Sequence, residues 1–387
     1  MGKIYTALGL MSGTSVDGVD ASIIKSDGKR EYSPLFDRYF EYGSKIRERI
    51  INLRAKILAP NHLIEYESEI KSVEREITLF HVNVVKEILN DSKVDLDLLG
   101  FHGQTIFHDS KKRITKQLGD GKLLSQLVKK KVVYDFRQND LKNKGQGAPL
   151  TPIFHNLIAN KYLKKELDKS YSVNIVNIGG ISNLTKTVKW EKLEKKKEFI
   201  KACDIAPGNC LIDEWVRKNS KKRYDIGGSL ASIGNTDRLI LNQALENFNI
   251  APPYTDSLDI KDFDISFVKG LSLEDGVSTL ADFTSIQISK ALNYFKDPTK
   301  KSIFLVCGGG RKNKYLMDSI LRSVNIIHDL NKTNFAPVDD YGMDGDFVES
   351  QAFGYLAIRS LLNLPISFPN TTGCKKSISG GVIIKNF

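Results

Sequence analysis

The same short plan occurs twice in this chain, and it limits the folds that the chain can adopt. An apolar strand from Ile4 to Leu10 runs into a polar, glycine-bearing turn, and a second strand follows from Val19 to Ile24. The plan returns where a strand from Ser172 to Ile178 leads into the letters GGISN and back out as LTKTV. The repetition predicts two similar halves, each built around a glycine-rich hairpin turn.

Strands and helices alternate along the rest of the chain, which is typical of an α/β fold. Apolar residues recur at helical spacing from Tyr66 to Asn90, and this predicts a long helix. With 387 residues, 41% of them hydrophobic, the chain is long enough for two lobes. The Gly- and Pro-rich segment Asn143–Pro152 is the best candidate for their boundary. We therefore expect an N-terminal lobe of residues 1–145 plus 347–387 and a C-terminal lobe of residues 146–346.

Charge and cysteine content exclude several classes of protein. The net charge is +11, but the basic residues fall in short runs without interleaved aromatics, so nucleic acid is not a predicted partner. The four cysteines form no CxxC pair, which argues against a metal cluster or a disulfide scaffold and indicates a cytosolic protein. No stretch approaches the ~18 apolar residues of a membrane span. We expect a cytoplasmic protein without membrane association.

The first turn has the letters GTSVDG and covers Gly13–Gly18. Its glycines let backbone amides face a ligand, and Thr14 and Ser15 add hydroxyl donors, so the turn is suited to phosphate oxygens. Asp17 and Asp20 add carboxylates, which repel phosphate unless Mg²⁺ lies between them. An ordinary Gly/Asp hairpin turn fits the same letters, and this segment alone does not decide between the two.

Two further glycine-rich turns end buried strands. Gly179 and Gly180 permit close approach of the backbone to a ligand, or simply form a tight hairpin. Gly308, Gly309 and Gly310 stand after a strand and before a helix, where nucleotides commonly rest on a helix N-terminus. The letters fit neither a Walker A loop nor GxGxxG, so those two folds are disfavoured.

Polar side chains follow two other predicted strands. His102, Gln104 and Thr105 cluster around a glycine in FHGQTIFH, and such a cluster is suited to sugar hydroxyls, although a single histidine is usually structural. Arg137 and Asp140 follow a later strand. The arginine can clasp a carboxylate of a ligand in bidentate fashion, or pair only with a neighbouring aspartate.

Two carboxylates stand next to predicted helix starts. Asp204 precedes a Pro-Gly turn that opens a helix, and a carboxylate held there can serve as a general base. Helix capping by Asp204 or Asn209 explains the same position. Glu349 lies in the first turn of its helix, where compensation of the helix dipole is the alternative.

Seven motifs occur in an order that points to one family. They read GLMSGTSVDGVD, FHGQTIFH, DFRQND…GQGAPL, VNIGGISNLT, DIAPGNCLIDEW, CGGGRKN and DGDFVESQAFGYLA. In this order, and over nearly the whole chain to about Leu362, they resemble the anhydro-N-acetylmuramic acid kinases. The resemblance implies the two-lobed α/β fold of sugar kinases, actin and heat-shock ATPases, with a mixed sheet in each lobe and ATP in a cleft between. It also implies that ATP, water and 1,6-anhydro-N-acetylmuramic acid, a product of cell-wall turnover, give N-acetylmuramic acid 6-phosphate.

The resemblance assigns roles to the residues above. Asp204 matches the family's catalytic aspartate, the base that deprotonates the attacking water. The loop Gly13–Asp20 and the turn Gly179–Gly180, with Asn183, match the two phosphate loops. Gly308–Gly310 matches the loop on the nucleoside side.

The remaining roles concern the sugar and the metal. Mg²⁺ is assigned to Glu349 and Asp17. The lactyl carboxylate of the sugar gives a reason for a cation such as Arg137 in the pocket. Members of the family are commonly homodimers, so a homodimer is implied. The predicted contacts to the anhydro-amino-sugar substrate are His102, Gln104, Thr105, Arg137 and Asp140.

The chain departs from the family pattern at Phe101, where a small residue is common, and in two longer stretches. The usual Asp-Thr-Gly-Pro-Gly-Asn run has Ile205 and Ala206, which removes a hydroxyl and a glycine. The Lys-Ser-Thr-Gly-Arg-Glu stretch expected after Pro-Pro is replaced by Tyr254–Asp259, within an irregular segment, Ile250–Asp275, that is interpreted as a loop or lid. These changes leave open a same-fold kinase for another sugar, or a non-catalytic ATP-binding switch. Retention of Asp204 favours an active enzyme.

Overall fold

The computed structural model of the protein describes residues 2–248, 250–255, 257–327 and 333–385. The chain divides into two compact units: unit 1 is Met1–Leu157 with Phe347–Phe387, and unit 2 is Ile158–Asp346. The first division lies in a helix, after the Gly- and Pro-rich segment. That segment is fixed within unit 1, since Gln146 N donates to Thr372 O at 2.8 Å.

Unit 1 begins with two hairpin strands, as the sequence predicts. The long helix predicted from Tyr66 to Asn90 is also present. The elements of the first part of the chain are β1 (Tyr5–Ser12), β2 (Gly18–Ser26), β3 (Tyr32–Glu41), α1 (Ser44–Lys56), α2 (His62–Glu65), α3 (Glu67–Ser92), β4 (Leu98–Asp109), β5 (Ile114–Leu118), α4 (Gly121–Val128), β6 (Lys131–Tyr134), α5 (Gln138–Lys142) and α6 (Pro152–Tyr162).

Unit 2 follows with a second hairpin and a group of helices. Its elements are α7 (Lys164–Asp168), β7 (Ser172–Ile178), β8 (Ile181–Lys186), α8 (Trp190–Glu194), β9 (Lys201–Pro207), α9 (Cys210–Asn219), α10 (Ser229–Ile233), α11 (Arg238–Asn247), α12 (Leu273–Phe295), β10 (Ser302–Cys307), α13 (Lys314–Ile327) and β11 (Thr333–Pro337).

The chain then returns to unit 1 for its last elements, α14 (Val348–Leu361), α15 (Pro369–Thr372) and β12 (Val382–Ile384). Helix α14 packs on β1, β2 and β4, and β12 pairs with β6. Within the described ranges, no helix combines the length and the apolar character that crossing a membrane requires.

The sheet of unit 1 is mixed. Its strand order is β3-β2-β1-β4-β6-β12, with β5 paired to the far end of β4. The first three strands form an antiparallel meander. Strands β4 and β6 then run parallel to β1, because α3 and α4 carry the chain back before each of them.

The sheet of unit 2 has the same plan. Its order is β9-β8-β7-β10-β11, again an antiparallel meander of three strands followed by two strands parallel to the first. The structural repeat predicted from the two hairpins is therefore confirmed at the level of topology. The α/β class with a mixed sheet in each half is confirmed as well.

One face of the unit 1 sheet is covered by α1 and α3. Strand residues Leu8 and Leu10 are fully buried there, together with Ile77 and Val84 from the apolar stripe of α3. Since successive strand residues face opposite sides, Gly9 faces the other side, where α14 lies.

Glycine allows α14 to approach the opposite face. Gly9 and Gly100 are partners in the β1–β4 register. A Cβ atom on Gly9 would lie 1.8 Å from Ser350 O, and one on Gly100 would lie 2.2 Å from Phe353 O. The helix backbone therefore rests directly on the strand backbones, which fixes the start of α14 over the sheet.

The core of unit 2 lies between its sheet and the helices α12 and α13. Val176, Phe304, Ile288 and Leu316 are fully buried in it. The described residues of the segment predicted to be irregular, Ile250–Asp275, include two short 3₁₀ turns, and the segment ends in the first turn of α12. It is anchored by the buried side chains of Ile265 and Val268.

Candidate active site

The loop between β1 and β2, Gly13–Asp17, is called the first loop here. Thr14 and Ser15 are exposed at its tip, while Val16 is buried and takes a positive φ of 60°. Gly18 begins β2, where a Cβ atom would lie 2.2 Å from Phe40 O. The glycine at position 18 therefore serves strand packing, and the exposed tip is the part of the loop that can meet a ligand.

The carbonyl groups of the first loop are bound by the protein. Gln104 Nε2 donates to Gly13 O at 3.0 Å, and Arg54 Nη1 donates to Thr14 O at 2.7 Å. In a trans peptide the N–H group points away from the carbonyl group of the same plane. The N–H groups of Thr14 and Ser15 therefore point away from Gln104 and Arg54. With their carbonyl groups held by the protein, these two N–H groups are oriented so that they can donate to an anion.

A buried hydrogen-bond chain lies directly below the first loop. His81 Nδ1 lies 2.8 Å from Ile77 O, so it carries the proton and donates to that carbonyl. The other ring nitrogen then accepts, and Ser12 Oγ lies 3.5 Å from it and 2.9 Å from Tyr42 OH. Sequence reasoning missed these residues. The available signal was a histidine within the apolar stripe of α3.

The carboxylates predicted near the first loop have different surroundings. Arg47 Nε lies 3.5 Å from Asp17 Oδ1, and Asp17 O accepts a hydrogen bond from Tyr42 N at 2.8 Å. Asp20 lies within β2, opposite Met11 in the register, and is partly buried. Asp17 is thus already paired with a cation.

Glu349 is partly exposed in the first turn of α14, next to Ser350, whose hydroxyl lies 2.6 Å from Ser22 Oγ. Among the residues that the structure describes, no group of three or more His, Cys, Asp or Glu side chains could hold a metal ion. Mg²⁺ needs no such cage, because it is usually bound by one or two carboxylates together with phosphates and water.

The buried His102 pairs with the partly buried Arg137 in unit 1. Arg137 Nη2 donates to His102 Nε2 at 3.0 Å, so the proton of the ring is on Nδ1, which donates to Gly103 O at 2.8 Å. Burial, helped by the positive charge of Arg137, lowers the pKa of His102 to about 3. A second Arg137 nitrogen donates to Gly147 O at 2.7 Å. Arg137 thereby joins β4 to the Gly- and Pro-rich segment.

The other predicted substrate residues are also engaged within unit 1. Gln104 is fully buried, and its Oε1 atom has no hydrogen-bond partner among the described residues. Thr105 Oγ1 accepts from Gln117 Nε2 at 3.1 Å. Asp140 accepts from Gly147 N at 2.7 Å and from Thr372 Oγ1 at 2.6 Å. Asp140 and Arg137 therefore both bind Gly147, in the Gly- and Pro-rich segment.

Buried neutral histidines make unit 1 sensitive to acid. Burial lowers the pKa of His81 to about 4 and that of His155 to about 3, as it does for His102. Below about pH 6.5 the unfolded chain binds protons that the folded chain does not, so stability falls as the pH falls through this range. We expect these three residues to make the free energy of unfolding, measured in urea, about 4 kcal/mol lower at pH 5.5 than at pH 8.

The matched variant for this prediction is His81→Gln. It should lose about 1.4 kcal/mol of the difference between the two pH values, whatever its stability at pH 8. An unchanged difference in this variant would show that His81 does not contribute to the acid sensitivity.

The hairpin turn of unit 2, Gly179–Gly180, is called the second loop here. Its carbonyls are bound by the start of α9: Asn209 N donates to Gly179 O at 2.8 Å, and Gly208 N donates to Gly180 O at 2.9 Å. A Cβ atom on Gly208 would lie 2.1 Å from Gly179 O, so glycine is needed there. Both loops thus have carbonyls that are bound by the protein.

Polar side chains form a row across the unit 2 sheet beside the second loop. Asn177, Asn183 and Asp204 are register partners on β7, β8 and β9. Side chains that are paired in register lie on the same face of a sheet. Asn183 Oδ1 is buried without a hydrogen-bond partner among the described atoms. The register brings together two predicted residues, Asn183 and Asp204, and adds Asn177, which the sequence did not single out.

The carboxylate of Asp204 is held by the irregular segment. Ser257 Oγ donates to Asp204 Oδ2 at 3.1 Å, and Leu258 N donates to the same oxygen at 2.9 Å. Asp204 is 9% exposed. The stretch Tyr254–Asp259, which departs from the family pattern, therefore contacts the predicted base. Asp256 of that stretch lies outside the described residues.

The third glycine-rich turn follows β10. Gly308 has a φ of 82°, and a Cβ atom there would lie 2.3 Å from Asn177 Oδ1. Arg311 is nearly buried, and it donates to Gly308 O at 3.2 Å, to Asp339 at 2.7 Å and to Asp346 at 2.8 Å. The arginine joins the turn to the segment before α14. The motif letters give no sign of this role.

The sequence is similar to known proteins over its whole length. It matches the family model described as Anhydro-N-acetylmuramic acid kinase over residues 5–386. It is 52% identical to the anhydro-N-acetylmuramic acid kinase of Pelagibacter ubique and 35% identical to that of Brucella canis, with 100% of each chain covered. Among solved structures, a ROK family glucokinase from Streptomyces griseus aligns with a TM-score of 0.37 at 12% identity, covering 91% of this chain and 99% of that one.

Proposed function

Because the chain belongs to the anhydro-N-acetylmuramic acid kinase family, we propose that it converts 1,6-anhydro-N-acetylmuramic acid into N-acetylmuramic acid 6-phosphate, with ATP as phosphoryl donor, in cell-wall recycling. The observation that carries the proposal is the position of Asp204, which lies in register with Asn183 beside the second loop. A carboxylate next to a turn suited to phosphate can act where water attack and phosphoryl transfer are coupled.

In the proposed reaction, Asp204 accepts a proton from water while the water oxygen bonds to C1 of the sugar. The C1–O6 bond breaks, O6 bonds to the γ-phosphorus, and ADP leaves. The loops contribute by position, because amides that already face the phosphates need not reorganise during the reaction. That one ATP contacts the loops of both units stays a prediction.

The other residues are proposed to bind the substrates. Glu349 and Asp17 are both proposed to contact Mg²⁺, and Asp17 would do so while it faces Arg47 at 3.5 Å. When bound, Mg²⁺ neutralises charge on the phosphates. The Oε1 atom of Gln104 is an acceptor, so it suits a sugar hydroxyl or amide and not a phosphate. Arg137 remains the proposed cation for the lactyl carboxylate. A cytoplasmic location and a homodimer remain predictions.

The reaction can be tested in one experiment. The protein, ATP and anhydro-N-acetylmuramic acid are incubated in ¹⁸O-labelled water, and the sugar product is analysed by mass spectrometry and phosphorus NMR. We expect one ¹⁸O atom at C1 and a phosphomonoester at O6. Turnover of a plain hexose without turnover of the anhydro sugar would instead favour a kinase for another sugar. ATP binding without any sugar turnover would favour a non-catalytic switch.

Ser257 provides a test of how Asp204 is held. Removing the Ser257 hydroxyl, which donates to Asp204 Oδ2, weakens the orientation of the carboxylate, and a hydrogen bond to a charged group contributes about 1.5–3 kcal/mol. We expect Ser257→Ala to lower kcat by about tenfold, with ATP affinity unchanged. Ser257→Thr keeps the hydroxyl and should retain most of the activity. Equal kcat values for the alanine variant and the natural protein would contradict the prediction.

A further inference from the structure

Helix α1 contacts the first loop through two arginines. Arg47 Nε lies 3.5 Å from Asp17 Oδ1, at the end of the loop, and Arg54 Nη1 lies 2.7 Å from Thr14 O, near its start. Residues seven apart lie on the same face of a helix. One face of α1 therefore contacts both ends of the first loop.

In unit 2, backbone amides instead of side chains bind the carbonyl groups of the second loop. Both α1 and α9 follow the third strand of their sheet, so they hold equivalent places in the repeated topology. In unit 2 the first amides of α9 bind the loop carbonyls, through Asn209 N at 2.8 Å and Cys210 N at 3.3 Å. In unit 1 the contact to Thr14 O comes instead from a side chain in the last turn of the helix.

We propose that Arg54 is a positioning residue for the first loop and that it holds the peptide between Thr14 and Ser15 so that its N–H group faces the phosphates of the nucleotide. The inference rests on the proposed function, which supplies the nucleotide. A guanidinium stays protonated throughout the physiological pH range, so its hydrogen bond to a carbonyl does not depend on pH. The bond also fixes an exposed tip that contains Thr14 and Ser15.

The test compares Arg54→Met with Arg49→Met. Arg49 lies on the same helix, but it pairs with Glu76 and donates to Ser72 Oγ at 2.9 Å, away from the first loop. The dissociation constants of ATP and of adenosine are measured by calorimetry, and kcat and the two KM values are measured with the sugar kinase assay.

We expect Arg54→Met to weaken ATP binding about tenfold, as loss of a charge-assisted hydrogen bond implies. Adenosine, which has no phosphate, should bind all three proteins equally. Arg54→Lys keeps the charge without the planar fork and should recover part of the ATP affinity. The KM for the sugar should not change, because the first loop is proposed to contact the nucleotide only.

Each other result has a defined meaning. Equal ATP affinities for Arg54→Met and Arg49→Met would overturn the role of Arg54 and leave the proposed function standing. Parallel losses of ATP and adenosine affinity would show general damage to the protein and would also overturn it. A natural protein that binds no ATP would overturn the proposed function itself, and this inference with it.

Discussion

Replacing Asp204 with asparagine is expected to lower product formation by about 100- to 10,000-fold, the range that a positioned general base contributes. The amide keeps the size of the side chain, and its oxygen can still accept the hydrogen bonds from Ser257 and Leu258. It cannot take a proton from water. ATP affinity should therefore stay within about twofold of the natural protein, since hydrogen bonding at the second loop is unchanged.

Asp225→Asn is the matched control for this variant. Asp225 is also buried, but its carboxylate accepts from Leu230 N at 2.7 Å and from Ala231 N at 3.1 Å and so caps α10. We expect the control to lower the urea midpoint while it retains most of the turnover, because the amide nitrogen that replaces one carboxylate oxygen cannot accept a hydrogen bond from a backbone amide. Normal turnover by Asp204→Asn, measured by release of ADP and of the phosphorylated sugar, would show that Asp204 is not the base.

Gly9→Ala is expected to destabilise unit 1 by about 3 kcal/mol or more, a large effect for the addition of one methyl group. The new Cβ atom would lie 1.8 Å from Ser350 O and 2.5 Å from Gly354 N, which are both backbone atoms of α14. Backbone atoms cannot move aside by rotating, so the helix itself must shift from the sheet. Urea unfolding followed by far-UV circular dichroism measures the loss.

Gly13→Ala is the control within the same motif. Its Cβ atom would find nothing closer than Ser15 Oγ at 3.9 Å, and its backbone is not left-handed. We expect its stability to stay within about 0.5 kcal/mol of the natural protein. Equal losses in the two variants would contradict the close approach of α14 at Gly9.

Local patterns predicted much of the fold. The strand Ser172–Ile178 has the predicted bounds, and the helix predicted from Tyr66 to Asn90 is present as Glu67–Ser92. The two hairpins predicted the repeated topology because each has a strong alternation of apolar strand and polar turn. Strand β9, which carries Asp204, is only weakly marked in the sequence. Its apolar run is short and ends at a proline, so it gives little strand signal.

The contacts that define the candidate site are mostly non-local. Arg54 lies 40 residues from Thr14, and Ser257 lies 53 residues from Asp204. Nothing in the local sequence tells an arginine that binds a loop carbonyl from one on a solvated helix face. The motifs therefore indicate which loops are candidates for ligand binding, and the tertiary structure shows which side chains hold them.

The return of the chain to unit 1 has a consequence for synthesis on the ribosome. Unit 2 is continuous in sequence, whereas the glycine face of β1 and β4 is covered only when α14 has been made. Translation proceeds at about 5–20 residues per second, so residues 158–346 take roughly 10–40 s to emerge. During that interval the N-terminal strands lack their partner helix. Nascent chains in which unit 2 has left the ribosome but α14 has not should therefore bind chaperones through unit 1 while unit 2 is already compact.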